Sequence, residues 1–294
     1  MRVICRYRAY WMLLVTALLS GSSLVVGQDY ANSHSGTEAN QSSGQRVQQL
    51  LSDDRTEDAV AVRRIFELGN QAVPALVSAL REGTDVERAS RALVYMGGPE
   101  EREILRELFA AEKNPEKKWV MAAFLAGALV EPVSREEWDF LQSCVEGYRD
   151  QDQSYASFSA VLALGINASP KALQLLQSVG SPEQKTSLEN DTVEEAGQAI
   201  RWANQRSAFK APAPSEKGTD SDLIKQTILH DAFFAVGGAK KVSFDEMSFT
   251  ESRTRVLVSL KVPARNGNPQ GYDILLRKQA GAWKIVGVWF AWAA

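Results

Sequence analysis

Few residues of this chain have the types and spacing that catalysis or metal binding requires. Only two histidines occur among the 294 residues, His34 and His230, and they lie far apart in the sequence. A zinc site needs a cluster of Cys, His or acidic ligands, and Cys144 has no partner ligand at a suitable spacing. The sequence also lacks a glycine-rich phosphate loop and a Gly-x-Ser-x-Gly nucleophile elbow. We therefore expect no catalytic residue, no metal ligand and no cofactor.

Carboxylates near the C-terminus leave one enzymatic alternative open. A proton-transfer enzyme requires a carboxyl group in an apolar pocket, where burial tunes its pKa. The candidates are Asp245 with Glu246, and Asp273 beside Tyr272. Asp273 alternates with Tyr272 and Ile274 along an expected strand, so we expect its side chain to face solvent. A small-ligand-binding protein or proton-transfer enzyme that uses this region is thus the alternative function.

Acidic side chains are concentrated on two predicted helices. Pro99 to Glu112 carries five acids and two arginines, and Ser134 to Gly147 carries four acids and one arginine. One interpretation is a solvated helix face. The other is a groove that attracts a basic or amine-bearing partner by charge complementarity. The candidate partner-binding residues of this groove are Glu103, Glu107, Glu136 and Asp139.

The aromatic C-terminus supplies a fifth candidate. Trp283 and Ile285 alternate with Lys284, so we expect the first two to fill the core of a sheet. Trp292 lies past the expected end of the last strand, where an exposed aromatic ring could dock a partner.

The elements that must position these residues begin with a repeated helical pattern from Arg46 to about Gln205. Four predicted helices end in an apolar residue followed by Gly, which adopts the left-handed conformation after a helix without strain. A second helix then starts near a Pro, which suits the first helical turn. The glycines are Gly69, Gly97, Gly127 and Gly165, and the prolines are Pro74, Pro99, Pro132 and Pro170. We expect about four helix pairs and one further helix.

Such pairs bury their apolar faces only by stacking, which produces a solenoid. With these Gly ends and Pro starts, residues 46–206 resemble short HEAT-like repeats of bacterial proteins and of phycobilisome-lyase relatives. The resemblance implies that the second helices of the pairs line the concave, partner-binding side. The unequal spacing of the glycines leaves armadillo-like or generic helical-hairpin stacking open, and a lyase-like role rests on fold analogy alone.

A change of composition separates a C-terminal domain from the array. Residues 207–221 contain Ala-Pro-Ala-Pro and read as a linker, and residues 222–294 read as one helix followed by four strands. We expect the helix to lie on a four-stranded antiparallel sheet in an α+β domain. The hairpin that includes Gly281-Ala-Trp-Lys-Ile resembles small cystatin-like or NTF2-like domains. The expected fold is thus mostly α, an α-α solenoid followed by a small α+β domain.

The N-terminus predicts export to the periplasm or secretion. Arg2, Arg6 and Arg8 precede an apolar run, Trp11 to Leu19, that is shorter than the roughly 20 residues of a membrane span. We interpret residues 1–27 as a cleaved signal peptide and residues 28–45 as a disordered lead-in, so no stable membrane insertion is expected. Cleavage takes the net charge from −3 to −6, which argues against nucleic-acid binding.

Only Cys144 of the two cysteines would remain after this cleavage, so no disulfide within the chain is expected. Its position on a predicted helix indicates a buried thiol. The function that these observations favour is an exported, non-enzymatic scaffold that binds a protein partner with basic surface through its helical repeats. The oligomeric state stays open.

Overall fold

A computed structural model describes residues 42–53, 55–147, 154–179, 187–206, 218–231, 242–263 and 269–293. All of them belong to one compact unit, Ser42–Ala294. The described chain is mostly helical and ends in a four-stranded antiparallel sheet, which confirms the expected fold class. The predicted signal peptide lies outside the described residues, and so does the part of the predicted lead-in that contains His34.

The helices follow one another closely along the chain. They are α1 (Ser43–Ser52), α2 (Asp58–Glu67), α3 (Val73–Glu82), α4 (Val86–Tyr95), α5 (Pro99–Ala111), α6 (Pro115–Gly127), α7 (Arg135–Glu146), α8 (Ser154–Asn167), α9 (Pro170–Gln177), α10 (Ser187–Arg206) and α11 (Asp220–Asp231). In the predicted pairs, α2, α4, α6, α8 and α10 are the first helices, and α3, α5, α7 and α9 are the second helices. The strands are β1 (Ser243–Phe249), β2 (Arg255–Pro263), β3 (Pro269–Gln279) and β4 (Ala282–Ala293).

Helix starts follow local capping chemistry. Three of the four predicted prolines, Pro74, Pro99 and Pro170, lie in the first turn of a helix as expected. The prediction for Pro132 is wrong, because α7 begins only at Arg135. The hydroxyl of Ser134 accepts a hydrogen bond from the backbone N–H of Glu137 and sets that start.

Two of the four predicted glycine stops are confirmed. Gly69 and Gly97 have φ angles of 62° and 68°, in the left-handed region. The other two predictions are wrong, because Gly127 is the last residue of α6 and Gly165 lies inside α8. Helix α8 continues to Asn167, and Ala168 then takes the positive φ of 52°.

The helices stack in sequence as a solenoid does. From α3 to α10, each helix packs on the next, and the first helices α2, α4, α6, α8 and α10 also pack on one another in turn. Their apolar side chains form one continuous core along the array. Its members include Val47, Phe66, Leu76, Leu93, Leu105, Leu125, Leu141, Val161, Leu176 and Ala199.

The sheet is an antiparallel meander in the order β1-β2-β3-β4. One face of the sheet is apolar and carries Val258, Ile274, Trp283 and Ile285, which are all buried, whereas Lys284 is exposed. Ile224 and Ile228 of α11 belong to the same core. The prediction that Trp283 and Ile285 fill the sheet core is confirmed.

The second face of the sheet packs against the helical array. Leu257, Leu275, Val286 and Trp289 belong to the same core as the helices. Asp273 lies on this face and is only 3 % exposed. The expectation that Asp273 faces solvent is therefore wrong, because the first helices cover the face that strand alternation alone assigns to water.

Both edges of the sheet are protected from pairing with another strand. Strand β1 has an irregularity between Phe244 and Glu246, and its Asp245 and Glu246 side chains are exposed. Strand β4 is covered by α6 and α8. Bulges, charges and covering helices are the usual means of blocking a sheet edge.

Candidate functional site

The acidic helix face, defined as Glu103, Glu107, Glu136 and Asp139, lies on the second helices α5 and α7. All four side chains are exposed. Glu103 and Glu107 are four residues apart and Glu136 and Asp139 are three apart, so each pair lies on one side of its helix. The structure thus places the four predicted residues on consecutive second helices and leaves their carboxylates accessible.

One arginine connects the two halves of the acidic helix face. The Arg106 guanidinium donates two hydrogen bonds to the Glu103 carboxylate, with N···O distances of 2.9 and 2.5 Å. These bonds raise the pKa of Arg106, and the charges of Glu103, Glu136 and Glu107 raise it further. Carboxylates from both helices therefore act on the same cation.

The remaining two acids of the face also lie at the surface. Hydrogen bonds from its own backbone N–H and from Ser134 lower the pKa of Glu136. The Arg135 Nε lies 3.5 Å from an Asp139 oxygen, and the two side chains are 88 % and 61 % exposed. Such exposed ion pairs hold their partners weakly, so an incoming cation can replace the arginine.

A buried ion pair fixes the position of α7 relative to α5 beneath this surface. The Arg102 Nε donates to a Glu137 oxygen at 3.1 Å, and both residues are buried. The other Glu137 oxygen accepts a hydrogen bond from the backbone N–H of Val133 at 2.5 Å. Because both oxygens of the Glu137 carboxylate accept hydrogen bonds, this buried residue fixes the spacing between α5 and α7.

Aromatic rings lie between the same helices. Phe109 of α5 and Phe140 of α7 form an edge-to-face pair with ring centroids 5.4 Å apart. The ammonium group of Lys118 lies 5.0 Å from the centre of the Phe109 ring, and that of Lys171 lies 4.5 Å from the Trp138 ring. The helices that carry the acidic face thus already hold cations on aromatic rings.

Trp292, the fifth candidate, is part of the last strand. Strand β4 continues to Ala293 and pairs Trp292 with Gly271. The expectation that Trp292 lies past the end of the strand is therefore wrong. Its side chain lies outside the described part of the structure.

The sequence did not predict a second polar constellation, the Asp273 cluster, defined as Arg63, Arg91, Tyr95, Ser259 and Asp273. One carboxylate oxygen of Asp273 lies 2.6 Å from Arg91 Nη2 and accepts a hydrogen bond from the Tyr95 hydroxyl at 2.8 Å. The other oxygen lies 3.4 Å from Arg63 Nη2 and accepts a hydrogen bond from the Ser259 hydroxyl. The cluster joins α2 and α4 to β2 and β3.

The electrostatics of the Asp273 cluster favour the ionised form of the Asp273 carboxylate. Burial alone would raise the pKa of Asp273, but Arg91, Ser259 and Arg63 together hold it below its ordinary value. Burial raises the pKa of Tyr95, and the charge of Asp273 adds to this effect. Asp273 is therefore ionised and Tyr95 neutral at physiological pH, so the carboxylate is engaged as a hydrogen-bond and ion-pair acceptor.

Equivalent repeat positions in the sequence identify two of the five members of this cluster. Arg63 and Arg91 each stand six residues before the glycine that ends their helix, Gly69 and Gly97. Equivalent positions in successive repeats lie on the same side of a solenoid. Two arginines at one repeat position indicate a shared anion, although the identity of that anion depends on the fold.

The other residues with reactive side chains occupy ordinary positions. Cys144 is buried, and burial raises the pKa of its thiol to about 12. His230 Nδ1 lies 2.8 Å from an Asp231 oxygen on α11. Among the residues that the structure describes, no group of three His, Cys, Asp or Glu side chains could hold a metal ion.

Comparisons with protein-family models, with curated proteins and with solved structures find no match to this chain. Across the described ranges, no helix combines the length and the apolar character that a membrane crossing requires.

Proposed function

We propose that this chain is an exported, non-enzymatic scaffold that binds a basic segment of a protein partner on the acidic helix face. One observation carries the proposal. Four exposed carboxylates lie on two consecutive second helices, and three of them, Glu103, Glu107 and Glu136, act on Arg106. The buried Arg102–Glu137 pair fixes the spacing of these helices. A preorganised acidic surface favours association with a complementary cationic partner.

The placement of the sheet supports this choice of surface. The sheet packs on the first helices α2, α4, α6 and α8. The side of the array formed by the second helices is then the one that remains for a large partner. This is also the side on which the HEAT-like resemblance expects partners, although membership of that repeat family remains part of the proposal.

The filled apolar face of the sheet favours a scaffold over the alternative proton-transfer enzyme. Tyr272, Ile274, Trp283 and Ile285 on this face are buried in one core with α11. Of the carboxylates that the alternative could use, Asp273 accepts hydrogen bonds and ion pairs on the opposite face of the sheet, and Asp245 and Glu246 are exposed. No observation on the described residues favours a second function over the scaffold.

The proposal is tested by reversing the charge of the face. A variant with Glu103, Glu107, Glu136 and Asp139 changed to Lys is compared with a control in which four other exposed acids, Glu67, Glu82, Glu131 and Glu251, are changed to Lys. Both variants have the same net charge. The probe is a fluorescein-labelled oligolysine peptide, and its binding is measured by fluorescence anisotropy at two salt concentrations.

We expect the first variant to lose at least about tenfold in affinity, because each lost attraction becomes a repulsion, and the control to lose much less. Equal losses would show that only the net charge matters, and equal affinities of the first variant and the parent chain would exclude this face. Affinity capture from the native exported fraction with the parent chain and both variants then identifies the natural partner.

A further inference from the structure

The surface where the sheet meets the first helices, called the junction here, contains more than apolar contacts. Side chains of the sheet donate hydrogen bonds to carbonyls at helix ends. Arg255 Nη1 donates to the carbonyl of Met96, and Trp289 Nε1 donates to that of Phe124 at 2.9 Å. The C-terminus of a helix carries a partial negative charge, so cationic and N–H donors are favoured there.

Two glycines of the helical array lie in close contact with the sheet at the junction. A Cβ atom added at Gly97 would meet the Leu275 side chain, and one added at Gly127 would meet the Val288 carbonyl oxygen and the Trp289 ring. Both glycines therefore permit a closer approach of helix and strand than any other residue would. These contacts exist only while the sheet is docked.

We propose that the Asp273 cluster is a latch: it keeps the sheet docked on α2 and α4, and loss of the Asp273 charge opens this side of the junction while helices and strands stay folded. The latch is independent of the proposed partner binding. It rests on one carboxylate that bridges arginines from two successive first helices.

The charge balance of the cluster explains why opening is the expected response. Asp273 is 3 % exposed and faces the guanidinium groups of Arg63 and Arg91, whose side chains are 8 % and 14 % exposed, whereas the nearby Glu246 side chain is 58 % exposed. The Arg63 Nη1 atom is buried without a hydrogen bond and lies 3.3 Å from a Glu246 oxygen. Removal of the carboxylate charge would leave two cations buried side by side, which is strongly unfavourable.

Separation at the junction relieves this repulsion at the lowest cost. Water then reaches both guanidinium groups, while the backbone hydrogen bonds of α2, α4 and the sheet are kept because each element satisfies its own. Local openings of this kind are ordinary events in folded proteins and need less free energy than global unfolding.

The experiment is hydroxyl-radical footprinting of the full chain, with oxidation rates read residue by residue by mass spectrometry. Met96 and Trp289 report on the junction, and both are at most 2 % exposed. Met121 and Cys144 report on the interior of the array and are also buried. The variants are Asp273→Asn, Tyr95→Phe as a milder change, and Asp245→Asn as the control, since Asp245 forms a partly exposed ion pair with Lys261 on the same sheet.

We expect Asp273→Asn to raise the oxidation rates of Met96 and Trp289 by about tenfold and those of Met121 and Cys144 by little. Tyr95→Phe removes one hydrogen bond to the carboxylate and should give a smaller rise at the same two residues. The control should match the parent chain.

A parallel rise at all four reporters would mean general destabilisation and would overturn the latch, as would unchanged rates at Met96 and Trp289. If Asp273→Asn fails to fold, Tyr95→Phe decides alone, because the phenyl ring keeps the packing and removes only the hydroxyl. Under the latch it must still raise the rates of Met96 and Trp289 and not those of Met121 and Cys144.

Discussion

The acidic helix face and the junction use the same residue types for opposite purposes. On the face, Glu103 and Asp139 pair with arginines in water, where the pairs exchange readily with other ions. In the junction, Asp273 is surrounded by Arg63, Arg91 and Tyr95 and is almost inaccessible to solvent. Burial thus decides the role: an exposed carboxylate is available to a partner, and a buried one is committed to the fold.

The largest expected effect separates these two kinds of carboxylate directly. We predict that Asp273→Asn lowers the free energy of unfolding by about 3–5 kcal/mol, because it removes the one buried anion that Arg63 and Arg91 share. The same change at Asp139, whose side chain is 61 % exposed, should alter it by less than about 0.5 kcal/mol. Urea denaturation followed by circular dichroism measures both changes in the free energy of unfolding. Similar changes in the two variants would contradict the difference between buried and exposed carboxylates.

An intermediate effect tests the close fit of the junction. We predict that Gly127→Ala lowers the free energy of unfolding by about 1–3 kcal/mol, because the new methyl group would press against the backbone of β4. Gly197→Ala in α10 is the control, since its methyl group would meet only the flexible end of Arg201. The control should be neutral or stabilising, as Ala favours helices over Gly by up to about 1 kcal/mol.

Thermal unfolding of the two glycine variants beside the parent chain gives the measurement. Stabilisation of both variants would show that helix propensity outweighs the contact with β4 and that the junction is looser than the distances indicate.

The smallest effect is a pH dependence that belongs to the junction alone. The pKa of Asp273 is lowered in the folded chain, so its charge stabilises the fold above its unfolded pKa of about 3.9 and this stabilisation is lost as the pH falls through the folded value. We predict that the melting temperatures of the parent chain and Asp273→Asn differ by a constant amount above pH 5. The difference should shrink below about pH 4, and a constant difference down to pH 2 would contradict this assignment.

Local patterns predicted most of the elements but not how they meet. Apolar spacing placed the helices around Phe66, Leu93 and Leu176, and alternation placed the four strands, because these signals depend on near neighbours. Alternation along β3 also separated Asp273 from Ile274 correctly. It could not reveal that a second layer covers the Asp273 face, since that contact joins residues about 180 positions apart.

The error at Gly127 has the same origin. A Gly in a helical pattern can end the helix or admit a neighbouring chain, and only the position of β4 shows that Gly127 does the second. The acidic helix face was predictable because it needs only helical spacing. The Asp273 cluster was not, because its members come from four separate elements.

The burial of Cys144 has a practical consequence for the chemistry of the whole molecule. Thiol oxidation proceeds through the thiolate, and a pKa of about 12 leaves roughly one thiol in a hundred thousand in that form at neutral pH. Two copies of the folded chain therefore cannot readily cross-link through this residue in an oxidising medium. In a preparation that lacks residues 1–27, and with them Cys5, covalent dimers would report that the fold around α7 has opened, which makes a non-reducing gel a simple test of integrity.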